Sequence, residues 1–252
     1  MTRNPDGVFP VAEGVLRISR AAVNCYLVDA DDGPVLVDAG LPRTWPLLRE
    51  ALSSIGRSPD DLSAVYLTHG HFDHVGMCDR LWHDHHVPLH VHDKDVSLAR
   101  HPYRYAHERP RIGYPVRYPG ALPVLARMVA AGALGVHGVD AQGDVRPGAV
   151  DPLRGGLIPV ASAGHTFGHC AFHLPDRGLL FSGDALVTYD PYTGRTGPRV
   201  VARAATADAD AALAALDALA ATGADVVLPG HGEPFRGGVS EAVARARAAG
   251  ID

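Results

Sequence analysis

The sequence predicts an α+β chain of two similar halves, packed sheet to sheet with helices outside. Three observations point there. Short apolar, β-branched runs fall in two blocks, one before residue 93 and one after residue 156. Each block also carries segments with apolar residues at helical spacing. The stretch between them, 97–150, has neither pattern in any sustained form. Strands plus helix, an interruption, then strands plus helix describe two layered halves around shared apolar faces.

Residues 8–18 read as a strand leading into a second at 23–28. Asp31-Asp32-Gly33-Pro34 makes a turn, and Val35-Leu36-Val37 ends at Asp38-Ala39-Gly40. This opening has the spacing of antiparallel β-structure. Trp45, Leu48, Leu52 and Ile55 predict a helix over 43–55 that Gly56 terminates. Residues 64–68 form an apolar strand running into a histidine-rich loop, 76–86 a helix, and 87–92 another strand.

Pro and Gly recur in 97–150, and Tyr103, Tyr105, Tyr114 and Tyr118 crowd together with Arg100, Arg104, Arg109, Arg111 and Arg117. A helix over 122–131 lies inside it. With no strand pattern to organise it, this stretch reads as an insertion or lid on a single domain spanning 1–252. Strands return at 157–161, 170–174 and 179–182. Residues 190–199 read as a Gly/Pro loop, and 208–221 as an amphipathic helix carrying Leu213, Leu216 and Leu219. A strand at 226–228, the loop Pro229-Gly230-His231-Gly232 and a helix over 239–249 close the chain.

The 252 residues carry a formal net charge of −5 and no Lys/Arg run, so nucleic acid is not an expected partner. Cys25, Cys78 and Cys170 are widely spaced, with no CxxC pair, which favours free thiols and the cytoplasm. Residues 1–7 lack the apolar segment of a secretory signal. No run approaches the ~18 apolar residues of a membrane span. A small molecule is the expected partner, and the oligomeric state is left open.

His69, His71, Asp73 and His74 fall within six residues at the end of an apolar strand. Imidazoles and a carboxylate are the donors that zinc and similar ions take. In a turning loop the first and third residues of the run can face one centre, and the fifth and sixth another. His165, Asp184 and His231 follow, each at a strand-to-loop junction and each beside glycine. Their ordinary alternatives are a solvated histidine and a turn-capping aspartate.

The set HGHFDH, AGHTFGH, FSGD and LPGHGE, in this order, resembles the metallo-β-lactamase superfamily. The resemblance covers most of the chain outside 97–150. It implies an αββα sandwich of two mixed β-sheets with metals at one edge. It also implies that His69, His71 and His165 hold one ion, that Asp73, His74 and His231 hold the other, and that Asp184 bridges them. The ions would be two divalent metals, zinc first, with manganese or iron as alternatives. His169 comes second in its motif, which implies packing or support of a ligand. Asp38 resembles a position that supports the metal loop, with a plain turn residue as the alternative. His83, His85 and His86 read as solvated, and His90 and His92 as packed on one face of a strand.

Two ions sharing a water would bring its pKa from ~15.7 toward neutrality and yield a bridging hydroxide for hydrolysis. Asp73 is the candidate to orient it or carry a proton. An aspartate at 184 resembles glyoxalase II and lactonases rather than true β-lactamases, so an ester, thioester or lactone is the expected substrate. A full glutathione site is not expected, because only about twenty residues follow His231. The alternatives are a phosphodiesterase or nuclease of the same fold and a mononuclear-iron persulfide dioxygenase. Tyr189 and Tyr192 are the candidate substrate contacts, with simple loop packing as the other reading.

Overall fold

The computed structural model describes residues 4–149 and 151–252. Seven strands form the first sheet in chain order: β1 (Gly7–Ala12), β2 (Val15–Arg20), β3 (Val23–Val28), β4 (Val35–Val37), β5 (Ala64–Tyr66), β6 (Leu89–His92) and β7 (Gln142–Val145). Pairing is antiparallel from β1 to β4 and parallel from β4 to β7. Helix α1 (Trp45–Ser54) carries the chain from β4 to β5, and α2 (Cys78–His85) from β5 to β6. Three short helices follow: α3 (Val96–Arg100), α4 (Tyr114–Arg117) and α5 (Leu122–Ala130).

The second sheet contains β8 (Ile158–Ala161), β9 (Cys170–Leu174), β10 (Leu179–Gly183) and β13 (Val226–Pro229), in the order β13-β10-β9-β8. Between β10 and β13 lie a hairpin of β11 (Val187–Tyr189) and β12 (Thr196–Arg199), and then α6 (Ala209–Ala220). Helix α7 (Val239–Ala249) follows β13.

Strand alternation explains the layering. On β3, Tyr26 and Val28 face the second sheet, whereas Cys25 and Leu27 face the helices. On β10, Leu179 and Phe181 face inward and Leu180 outward. Tyr26 and Phe181 meet edge to face across the sandwich, with ring centroids 5.3 Å apart. The outer face of the first sheet packs under α1 and α2 through Leu48, Leu52 and Leu81. The outer face of the second packs under α6 and α7 through Leu216, Leu219 and Val243. These central strands are covered on both faces, so they read as continuous apolar runs. Truncating Phe181 to Ala would cost about 3–5 kcal/mol as a core cavity.

The architecture is the expected α+β sandwich, with local differences. Residues 8–18 are not one strand: a turn at Glu13-Gly14 folds β1 back on β2. Strand β7 lies within 97–150, where the sequence shows no strand. Its QGDV buries only Val145, as an edge strand paired on one side can. Strand β12 hides in TGPR for a similar reason, pairing only with β11. No helix among the described residues is long and apolar enough to cross a membrane.

Parallel pairing positions the site. β4, β5 and β6 run parallel, as do β10 and β13, so the loops after their carboxyl ends gather along one edge. Those loops carry Asp38, His69–His74, Asp184 and His231. Gly183 ends β10 at φ +49°, and a Cβ there would lie 2.6 Å from Thr68 Oγ1 and 2.7 Å from His169 Nε2. Only glycine lets β10 deliver Asp184 so close to the opposite sheet.

Candidate metal centre

Beyond β5 the chain turns sharply. His74 N–H donates to His71 C=O at 2.9 Å, and Ala39 N–H donates to His74 C=O at 2.7 Å. This tethers the loop to the end of β4. It also turns His69, His71, Asp73 and His74 into one space with His165, Asp184 and His231, all seven at most 5% exposed. Their donor atoms form three overlapping groups: His69, His71 and His165; His69, His74 and Asp184; and Asp73, His74 and His231. Atoms within each group lie within 4.8 Å of one another.

Asp184 lies at the middle of the cluster. Its Oδ1 is 3.5 Å from His74 Nε2, while Oδ2 is 3.2 Å from His231 Nε2 and 3.5 Å from His165 Nε2. Asp73 Oδ2 is 3.3 Å from His231 Nε2, and His71 Nδ1 is 3.0 Å from His165 Nε2. Above Asp184 the loop comes within contact: a Cβ on Gly230 would sit 2.2 Å from Asp184 Oδ1.

The ring orientations fit metal binding. His74 Nδ1 pairs with Asp38 Oδ2 at 2.9 Å, His69 Nδ1 with Thr68 Oγ1 at 3.0 Å, and His231 Nδ1 with Ala22 C=O at 3.1 Å. Each pairing engages Nδ1 and turns Nε2 inward, the nitrogen that would be free of its proton with a cation bound. Those inward atoms, His69 Nε2, His74 Nε2 and His231 Nε2, have no hydrogen-bond partner, and neither has Asp184 Oδ1. Buried polar atoms are rarely left unpaired. A cluster of them, all imidazole nitrogens or carboxylate oxygens, is what a bound cation would satisfy.

Electrostatics agree. Burial, reinforced by neighbouring imidazoles, drives His69 and His71 well below the usual histidine range. Burial takes His165 down to about 4. Burial would also lower His231, but Asp184 and Asp73 outweigh it and hold that ring up at about 10. His74 is raised against its burial by Asp38 and Asp184. Burial opposes ionisation of Asp184, yet His231 and His74 hold its carboxyl well below the usual range. The carboxylates thus draw positive charge into a dry pocket, and divalent ions would supply it.

The family model of the Metallo-beta-lactamase superfamily matches residues 19–231, which include every one of these side chains. The chain belongs to the metallo-β-lactamase superfamily. It is 27% identical over 245 residues to the probable metallo-hydrolase YflN of Bacillus subtilis, covering 91% of this chain and 88% of that one. An N-acyl homoserine lactonase of Bacillus thuringiensis is 27% identical over 117 residues, or 36% of this chain and 46% of that one. Among solved structures, metallo-beta-lactamase family protein TTHA1429 from Thermus thermophilus shares the fold at a TM-score of 0.66 and 24% identity, covering 95% of this chain and 81% of that chain. TTHA1623, solved in a di-iron-bound form, gives a TM-score of 0.58 at 27% identity, covering 91% and 94%.

Around this centre, other histidines separate by contact. His169 stands against the site: its Nε2 accepts from Asp184 N–H at 3.0 Å and its Nδ1 pairs with Ser162 Oγ at 2.8 Å. It therefore holds the backbone that presents Asp184. His90 pairs with Asp144, His92 with Asp93, and His85 with Asp60, all away from the centre. Asp38 does more than turn the chain, since it also accepts from Thr68 N–H at 2.8 Å.

The two tyrosines proposed from sequence part company. Tyr192 lines the cavity over the centre, a space of about 30 Å³ that it shares with Tyr105, Leu125 and Met128. Tyr189 does not reach it. It sits on β11 rather than in the hairpin's loop, and lines a separate hollow with Phe235 and Arg245. Sequence reasoning missed Asp95. That buried carboxylate accepts from Gly70 N–H, Gly168 N–H and Thr166 Oγ1–H at 3.1, 2.8 and 2.7 Å. It ties the first histidine loop to the loop of His165. Its one sequence signal is an acidic residue three positions after a strand that shares the metal edge.

Proposed function

We propose that this protein is a dinuclear metal-dependent hydrolase of a small-molecule ester, thioester or lactone. The observation that carries the reading is the set of unpaired, inward-facing His69, His74, His231 and Asp184 atoms in one buried pocket. In this reading His69, His71 and His165 hold one divalent ion, Asp73, His74 and His231 hold a second, and Asp184 reaches both. Bound there, the ions would lower the pKa of a shared water from ~15.7 toward neutrality and draw charge from a substrate carbonyl. With the ions bound, Asp73 would be placed to orient that water or carry its proton. Tyr105 and Tyr192 exclude bulk water and offer hydroxyls on the open side. The likeness to a lactonase and a metallo-hydrolase supports the reaction class.

Zinc is the favoured metal, with manganese and iron admitted by the same donors. The three unpaired, buried thiols suit a reducing compartment, in keeping with the cytoplasm. The test is metal quantification of purified protein, followed by a panel of aryl esters, thioesters, lactones and bis-aryl phosphates. Two ions per chain and chelator-sensitive turnover of a carbonyl substrate are expected. One iron per chain with oxygen uptake, or a preference for the phosphodiester, would replace this reading.

A further inference from the structure

A second cavity of about 280 Å³ opens directly beside the metal centre. His165 and Tyr105 line both spaces, which sets the two side by side. The lining of this second cavity includes Lys94, His101 and Arg104. Neither Lys94 nor Arg104 makes an ion pair among the described residues, although neighbouring charges do: Asp93 pairs with His92, and Arg100 with Asp140. The carboxylate in the same lining, Asp95, is 1% exposed and already accepts three hydrogen bonds. Both of its oxygens are turned to those donors, and it forms no ion pair with Lys94 or Arg104 among the described residues.

Part of the remaining lining is apolar: Leu98, Ala106, Phe167 and Ala207. Phe167 follows Thr166 in the His165 loop, lines the cavity as Leu98 does, and leaves 56% of its surface exposed. An exposed aromatic ring and unpaired cations lining one hollow suit a ligand with a short apolar spacer and an anionic end. The volume admits an arm of a few heavy atoms, and the chain's net charge of −5 gives no general pull on polyanions.

We infer that this cavity is an anion subsite: Lys94 and Arg104 take a carboxylate or phosphate at the end of a substrate whose reacting carbonyl lies at the metal centre. The inference rests on the hydrolase reading for the identity of the ligand as substrate. The subsite itself can be tested by binding alone. Arg104 supplies a fork for either anion and Lys94 a point charge, so both sources share one chemistry.

The experiment uses zinc-loaded protein and calorimetry. Dicarboxylates from malonate to adipate are titrated against monocarboxylates of the same length, with the matching phosphono-carboxylates alongside. At least one doubly anionic compound is expected to bind roughly tenfold more tightly than its monocarboxylate, as a charge-assisted contact allows. That advantage should fall severalfold in Arg104→Met and in Lys94→Met, with zinc content and melting temperature held as controls. A larger advantage for the phosphono series names phosphate as the source, and for the dicarboxylates, carboxylate. Equal affinity throughout, or an advantage that survives in the double variant, overturns the subsite. Ester hydrolysis measured in parallel separates the two readings. Turnover without any dianion advantage sinks the subsite and leaves the hydrolase. A dianion advantage without turnover keeps the subsite and sinks the hydrolase.

Discussion

The hydroxyls of Tyr105 and Tyr192 lie 2.6 Å apart, and the Tyr105 ring stands over His71 with centroids 4.1 Å apart. One tyrosine comes from the segment after α3 and the other from the loop of the β11–β12 hairpin, 87 residues later. Arg111 lies over the same Tyr105 ring, 4.0 Å from its centroid. The pair therefore closes the roof of the metal pocket by joining two loops. Burial raises the pKa of both phenols, so both stay protonated and one donates to the other.

Removing either hydroxyl leaves its buried partner without that hydrogen bond, which costs about 1–3 kcal/mol. Tyr105→Phe and Tyr192→Phe should each lower stability by about that much. The double variant should lose clearly less than the sum, because the same bond is broken in both singles. Urea unfolding of the four proteins supplies the cycle. Strict additivity would mean that the hydroxyls do not pair.

Asp95 links Gly70, between two histidines of the first loop, to Thr166 and Gly168 beside His165. Asp95→Ala removes three acceptor contacts at once and frees the two loops from each other. Outer partners of this kind commonly account for 10–100-fold in metal affinity. A loss of that size is expected in a competition titration with a chromophoric chelator. Asp95→Asn, which keeps one acceptor oxygen, should fall between. Wild-type affinity in Asp95→Ala would show that the loops hold their places without it.

Asp38 permits a more selective test. Its backbone lies at φ +57°, a region that asparagine tolerates well, so Asp38→Asn adds little backbone strain. One oxygen must then serve where two now take Thr68 N–H, Thr68 Oγ1–H and His74 Nδ1–H. His74 loses its carboxylate partner, while His71 and His165 keep their surroundings. The ion assigned to Asp73, His74 and His231 should weaken about 10–100-fold, with the other less affected. Metal content after dialysis should then fall toward one per chain. Equal retention of both ions would remove Asp38 from the support of that half.

Much of this centre was legible because chemistry and backbone period coincide. His69, His71, Asp73 and His74 follow an apolar strand so closely that only a turn can hold them, and glycines mark His165, Asp184 and His231. The central strands were legible for a related reason: burial on both faces leaves an uninterrupted apolar run, as in Val23–Val28. What stayed hidden depends on contacts between distant segments. Tyr105 could not be told from its neighbours Tyr103, Tyr114 and Tyr118, since its meeting with Tyr192 is set by tertiary packing. Ala21 and Ala22 both adopt positive φ in the β2–β3 turn, where Gly or Asn would have signalled it, and Ala22 C=O is what orients His231. Strand β7 was hidden because an edge strand needs only Val145 to face inward.

The three cysteines lead to a prediction about alkaline stability. Cys25, Cys78 and Cys170 are buried and unpaired. Burial pushes Cys170 up to about 12, and burial together with Asp38 pushes Cys25 and Cys78 upward as well. An unfolded thiol ionises near pH 9, so above that pH the unfolded chain sheds protons that the folded chain keeps. The unfolded state then binds fewer protons, and stability falls as pH rises. Each retained proton approaches about 1.4 kcal/mol per pH unit in slope. Stability from urea unfolding should therefore hold between about pH 7 and 8 and drop steeply between about 9 and 11. Cys170→Ala has one such proton fewer and should drop less steeply, whatever its offset at neutral pH. A thiol reagent at about pH 8 should label none of the three in the folded protein and all three in guanidinium. Rapid labelling of the folded protein, or an unchanged slope in Cys170→Ala, would show that these thiols are not held protonated by the core.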